Sequence, residues 1–500
     1  MHNPGTAGSG GLISATWIFD VSTPYTASTL SIHCWAFGAL AKFFLYVVFV
    51  NLLKIMFVQI YEIDPWVIGL ILAWPRIIDA LLDPFLGTFS DNLQSRWGRR
   101  RPLLVLAAVA GAIALILLWW ASPLWSKVSI LIWLNAFSFL LYVCYGLYDM
   151  THTALGYELS DDYSQRTRVQ SIRNAYFMSC GSVWNWVYLL VALPIFGGEL
   201  NAMRVVSMIM AAVIVLSVTV TVMNTRERTE ELDLKRKAHI PIFTALRQTL
   251  ALKPFVIVLL FRIAQTMGSS LYHVLGTWIV LYCVCEGENS IFGTIQGISG
   301  IVIFLGSIAM IPIATWMTTR VGKRKGMIYS MGLQFIGALL LPFFAVPGEA
   351  YLYLAYMVSF GLLSSIFDLF RDAIMPDVCD LDELQNGQRR EGLFTAVLTF
   401  VSKIENSICI LLGGVIITLC GFDPQLGMKQ PQEVLDNLLF YGFSIKILFV
   451  GLCFFIVLYF PLTQKMMEDV RAKLAIKHAK QREENERLAR ENAGQTTPTA

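Results

Sequence analysis

The chain has 500 residues, of which 56% are hydrophobic and only 15% charged, and its formal net charge is +3. A soluble domain carries about a quarter charged residues, and one water-soluble core does not hide this much apolar side chain, so lipid is the expected solvent for most of it. The nine cysteines are scattered, several inside apolar runs, and read as small hydrophobes rather than a disulfide or zinc framework.

In chain order, residues 1–31 are rich in Gly, Ser and Thr and lack the basic n-region of a signal peptide, so a cytosolic tail is expected. A bilayer core takes about 20 apolar residues per helix. Twelve candidate spans follow at 32–57, 66–90, 103–121, 128–152, 173–196, 204–223, 254–283, 290–317, 327–346, 351–376, 393–420 and 438–463. Residues 32–223 form an N-terminal six-helix half and 254–463 a C-terminal one, joined by a cytosolic loop at 224–253. The charged segment 464–500 reads as a solubilising cytosolic tail whose first part is a solvated helix.

Basic residues follow every even-numbered span. They are Arg96 and Arg99 to Arg101, then Arg166 and Arg168, then Arg226, Arg228 and Lys235 to Lys237, then Arg320 and Lys323 to Lys325, and finally Arg389 and Arg390. The loops at 61–65, 286–290 and 347–350 are free of Lys and Arg. Positive loops face the cytosol, so both termini are expected inside, in the cell (inner) membrane.

The stretch Arg96-Trp97-Gly98-Arg99-Arg100-Arg101 after span 2 returns as Arg320-Val321-Gly322-Lys323-Arg324-Lys325 after span 8. Duplicated halves of this kind belong to major-facilitator transporters. The expected fold class is therefore an all-α membrane protein, twelve transmembrane helices in two six-helix halves.

Charges within spans are costly and mark function. Arg76, Asp79 and Asp83 in span 2 share one helix face through spacings of three and four. Two carboxylates a turn apart repel unless a proton or hard cation lies between them, which describes a coupling site. Other charges at or near membrane depth are Lys42, Asp149, Arg173, Arg262, Asp368, Arg371, Asp372, Lys403 and Glu405. No phosphate-cradling glycine loop, zinc-ligand spacing, catalytic constellation or nucleic-acid module is present, so no cofactor, enzyme activity or nucleic-acid partner is expected.

The span 2 stretch Arg76-Ile77-Ile78-Asp79-Ala80-Leu81-Leu82-Asp83-Pro84-Phe85-Leu86-Gly87, with Ser95-Arg96-Trp97-Gly98-Arg99-Arg100-Arg101-Pro102, resembles the signature of the glycoside–pentoside–hexuronide:cation symporters, the melibiose permease-like family of the major facilitator superfamily. Glu158 to Tyr163 with Arg166, Arg168 and Arg173 resembles the family's loop after span 4. Met375 to Glu383, Gly387, Arg389 to Gly392 and Lys403 resemble its passage from span 10 to span 11.

The resemblance implies that Asp79 and Asp83 hold the coupling cation, acting as metal ligands only if that cation is sodium. It also implies that Asp149 and Arg173 contact sugar, that Lys403 stands near both sites, and that Lys42 lines the cavity. Asp368 and Arg371, by their depth, join the solute-binding set. The chain departs from the family at Phe43, where an acid is expected, at Leu82 and Gly146, where sodium users carry Asn and Thr, and at Thr153, where a tryptophan is expected. With no side-chain oxygen at Leu82 or Gly146, a proton is expected over sodium. The expected function is cation-coupled symport of a glycoside, pentose or hexuronate by a monomer in lipid. The alternatives are a lysolipid carrier of the same fold and a non-transporting membrane sensor.

Overall fold

The computed structural model describes residues 27–47, 53–93, 95, 97–157, 159, 163–225, 249–387, 391–427 and 429–494. Outside them lie the first 26 residues, most of the 224–253 loop, and Arg96, Glu158, Asp161, Asp162, Arg389 and Arg390.

The chain begins with three short helices, α1 (Thr29–Phe37), α2 (Ala39–Val47) and α3 (Leu53–Tyr61). Ser28 caps α1 by accepting from the Ser31 amide, which satisfies a donor the first turn leaves open. Next come α4 (Pro65–Asn92), α5 (Arg101–Leu118), α6 (Lys127–Tyr157), α7 (Tyr163–Trp184), the short α8 (Val187–Val191) and α9 (Glu199–Asn224). The later part of the chain holds α10 (Lys253–Trp278), continued by a π-helical turn at Ile279–Val284, then α11 (Asn289–Val321), α12 (Lys323–Phe344), α13 (Ala350–Asn386), α14 (Glu391–Leu419), α15 (Gln432–Leu458) and α16 (Gln464–Gly494). Pro65, Pro102 and Pro254 stand in first turns, where a missing amide hydrogen costs nothing.

Among the described residues, nine helices are long and apolar enough to cross a membrane. The spans outside that set are α1–α3, α4 and α7, which carry Lys42, Arg76 with Asp79 and Asp83, and Arg173 respectively. The first three fall outside it because each is only nine residues long. Several boundaries differ from expectation; α13, for one, runs on to Asn386, well past 376. α7 starts at Tyr163, well before 173, because the polar stretch carrying Arg168 is helical too. α15 runs 432–458 rather than 438–463, since Pro431 opens its first turn earlier.

The internal repeat has a matching backbone. Gly98 and Gly322 both take positive φ, +101° and +84°, a region that L side chains enter at a steric cost. Each glycine sits at the reversal from one long helix to the next.

Helix pairs α5–α6, α5–α9, α4–α6, α10–α15, α11–α13 and α12–α13 pack side by side, and α4 packs along α14. Small residues set the close approaches between the first and second sets of helices. A Cβ on Gly414 of α14 would strike the Pro65 carbonyl, and one on Gly69 of α4 would press on Ile410 and Leu411. Added at Gly293 or Gly297 of α11, it would strike Leu189 or Trp186. Glycine lets helix backbones meet where lipid gives no hydrophobic drive. Gln59 donating to Tyr282 and Asn289 donating to Glu199 join the same end.

The tail differs from a free solvated helix. Met467, Val470 and Leu474 of α16, one apolar stripe, are buried against the C-terminal helices. Arg471 pairs with Asp377 at 2.7 Å, and His478 lies 2.6 Å from Glu383. An i,i+4 pair, Lys473–Asp469, lies on its outer side.

Candidate functional site

Three groups of polar side chains lie at membrane depth. The first is built by α2, α6 and α7. Lys42 pairs with Asp149 Oδ1 at 2.6 Å. Thr153, one turn beyond Asp149, donates to the same oxygen at 3.3 Å and accepts from Arg173 at 3.0 Å. Lys42, Asp149, Thr153 and Arg173 thus form one continuous polar chain. The Lys42 and Asp149 side chains keep 18% and 28% of their surface accessible, so neither is fully packed away. Such paired acid and base groups suit a polyhydroxylated solute, because each can bond a hydroxyl in a fixed direction.

Packing fixes Asp149 from both sides. Tyr148 donates to the Gly38 carbonyl, Trp35 donates to the His152 carbonyl, and His152 Nε2 lies 2.9 Å from the Trp35 carbonyl. The His152 ring stacks between Trp35 and Tyr148, with centroids at 4.9 and 5.6 Å. A turn at Gly38, where a Cβ would strike His152, lets α1 and α6 come this close. Beside the chain stands an aromatic wall. Phe43 meets Phe177 edge-on at 5.2 Å and Trp184 at 6.4 Å, and Lys42 lies 5.7 Å from the Phe177 ring centre. Phe43, where the family has an acid, is buried in this wall.

The second group joins α4 to α14. Lys403 donates to Asp79 Oδ2 at 2.9 Å, and the Asp79 side chain is 1% exposed. Arg76 donates to the Tyr46 hydroxyl at 3.2 Å and lies over its ring. Lys403, expected near both sites, is thus a positive partner of Asp79, while Arg76 on the same helix turns to Tyr46. A Cβ on Gly146 of α6 would collide with Asp79 Oδ1, so the glycine is what lets the carboxylate lie against α6. A threonine there, as in sodium-using relatives, needs a different Asp79 rotamer. Asp83 follows on α4, and its side chain lies outside the described residues.

The third group lies between α13 and α10. Arg371 pairs with Asp368 at 2.6 Å and with Asp372 at 3.0 Å. Gln265 donates to Asp368 and accepts from Arg371. Asp368 and Arg371 thus pair directly, and Gln265 bonds both.

Sequence reasoning passed over three participants. Tyr46 and Gln265 carry no charge and left no signal in a search for charges. Lys446 did leave one, a lysine in an apolar span. It is buried and lies 3.9 Å from the Phe360 ring centre and 4.7 Å from that of Tyr272.

The chain matches the family model described as MFS/sugar transport protein over residues 34–464. It is 24% identical over 441 residues to the isoprimeverose transporter of Lactiplantibacillus pentosus, covering 85% of this chain and 88% of that one. It is 21% identical over 462 residues to the sodium-dependent lysophosphatidylcholine symporter 1 of Xenopus tropicalis, covering 85% of both. Among solved structures, a D-xylose-proton symporter superposes with a TM-score of 0.60 at 14% identity, over 86% of this chain and 96% of that one. At that identity the superposition speaks for the fold, which is that of major-facilitator transporters.

Proposed function

The chain belongs to the family of MFS/sugar transport proteins, a multi-pass membrane protein and secondary transporter, and from that premise we propose that it carries a sugar-like solute by symport with a cation. The carrying observation is the polar chain Lys42–Asp149–Thr153–Arg173, set on helices of the N-terminal half with Lys42 and Asp149 partly accessible. Beside it, Asp79 and Lys403 supply a carboxylate that a cation can neutralise. Such a cation competes with Lys403 for Asp79, and what loosens that contact alters how α4 sits on α14. Coupling of this kind is reciprocal, so the cation changes solute affinity and the solute changes cation affinity.

A proton is the favoured cation. Sodium needs several oxygen ligands, and Gly146, which abuts Asp79, brings no side-chain oxygen to it. Solute release requires the two sets of helices to rock about the central groups. Their glycine contacts lie at the end opposite the basic loops, which favours a cavity open toward the end bearing the termini. Both termini are assigned to the cytosol on the positive-inside rule, and the monomer is the working unit.

The second reading is a lysolipid carrier. The wall of Phe43, Phe177 and Trp184 beside the polar chain would suit an acyl segment, and the lysophosphatidylcholine symporter is a relative. The test is uptake by the purified chain in proteoliposomes against a panel of glycosides, pentoses, hexuronates and lysolipids, each with a sodium gradient, a proton gradient, or none. Accumulation of a carbohydrate under an inward proton gradient is expected. Uptake of lysolipids alone would sink the sugar assignment, and accumulation under sodium alone would sink the proton.

A further inference from the structure

Glu405 stands two residues beyond Lys403 on α14, which turns the two side chains to nearly opposite faces of the helix. Lys403 reaches α4. Glu405 faces α10, beside the Met267 backbone and the Arg262 guanidinium. The residue is 5% exposed. Neither carboxylate oxygen makes a hydrogen bond of full geometry, the Met267 backbone being the donor that comes near, and Arg262 Nε is likewise buried with none of its own bonds made. A carboxylate in this setting requires a positive partner or a proton.

The charged and titratable groups around Glu405 are few. α14 packs on α4 and α10. From α4 come Arg76, engaged with Tyr46, and Asp79, engaged with Lys403; the Asp83 side chain lies outside the described residues. From α10 come Arg262, the exposed His273, and Tyr272, whose hydroxyl is shared with Tyr353. Arg262 also feels Asp368, Arg371 and Asp372 of α13. Arg262 is within electrostatic reach of both the α13 carboxylates and Glu405, and its buried Nε makes no hydrogen bond to either.

We propose that Glu405 is a proton-binding site in the C-terminal half, loaded with a proton from the cavity when Arg262 is drawn toward Asp368 and Asp372, and unloaded when Arg262 turns to it. The step is a proton transfer alone: the carboxylate takes one proton to give the neutral acid, and the guanidinium replaces that proton when it leaves. This deepens the symport reading and rests on it for the role in transport. The proton site itself can be read without any solute.

The test uses the full chain reconstituted in lipid, followed by infrared difference spectroscopy between neutral and alkaline buffer. The expected result is loss of a protonated-carboxyl C=O band in the wild-type protein, the same loss in Asp79→Asn, and no such band in Glu405→Gln. If Glu405→Gln does not fold, Glu405→Asp should shift the band rather than delete it. A wild-type band that persists in Glu405→Gln, or is unmoved in Glu405→Asp, overturns the proposal. Where a solute has been found, acid-driven accumulation should fall about tenfold in Glu405→Gln. Failure to find a solute refutes the symport reading and leaves the infrared result to decide Glu405.

Discussion

Breaking the Asp79–Lys403 pair should have a large and strongly non-additive effect. At 2.9 Å and an effective dielectric near 20, the gross attraction of two unit charges is about 6 kcal/mol. Desolvation offsets much of this, but removing one partner leaves the other buried and uncompensated, at about 3–5 kcal/mol. The two single losses are unequal. Lys403→Met strands a carboxylate whose side chain is 1% exposed, whereas Asp79→Asn strands an ammonium that is 17% exposed and can lean toward the cavity. Lys403→Met should therefore be the more damaging. The double variant, with neither charge, should recover a coupling energy of about 2–3 kcal/mol. The assay is equilibrium unfolding in lipid micelles for the four members of the cycle. Singles that add to the double within about 0.5 kcal/mol would refute the argument, because the pair would then contribute nothing as a pair.

Thr153→Val keeps the shape of the side chain but removes the hydroxyl that links Asp149 to Arg173, while Thr153→Ser keeps it. Loss of one such bond is about 1–1.5 kcal/mol, so solute affinity should fall roughly tenfold in the valine variant and stay near wild type in the serine variant, as read by competition binding. In the later part of the chain, Asp377 receives both Lys323 and Arg471. Asp377→Asn should release α16 and expose it to limited proteolysis; a cleavage pattern equal to wild type would show that the apolar stripe alone holds the helix.

Much of this architecture is legible in the sequence because lipid makes polar placement expensive. Asp79, Asp149, Arg173 and Lys403 stand out against apolar neighbours, and the structure places each in a polar contact. The paired motif glycines have backbone counterparts in the positive φ of Gly98 and Gly322. What stayed hidden is neutral or relational. Thr153 was visible only as a missing tryptophan, and its use as a bridge depends on α6 and α7 lying side by side. Gln265 resembles any span glutamine until Asp368 and Arg371 face it. The docking of α16 needed the spacing of Met467, Val470 and Leu474 to outweigh a surrounding run of charges. A composition reading averages that stripe away.

The placement of Asp79 and Lys403 bears on how the molecule could change shape. The close approaches of α4 to α14 fall at Gly69 and Gly414, toward one end of both helices, and the ion pair holds the same two helices nearer their middle. Glycine contacts are short-ranged and carry no charge, so they part or form together and set two discrete packings rather than a continuum. The ion pair is the element on this interface that a cation can address. A proton on Asp79 removes the attraction that holds Lys403 and frees the lysine to turn toward the cavity, where Asp149 already carries the ammonium of Lys42. A solute that bonds Asp149 and Arg173 changes the electrostatics of that same cavity. On the proposed symport reading, cation and solute would be linked through these neighbouring charges, because a ligand shifts a conformational equilibrium only to the extent that it binds the two packings differently.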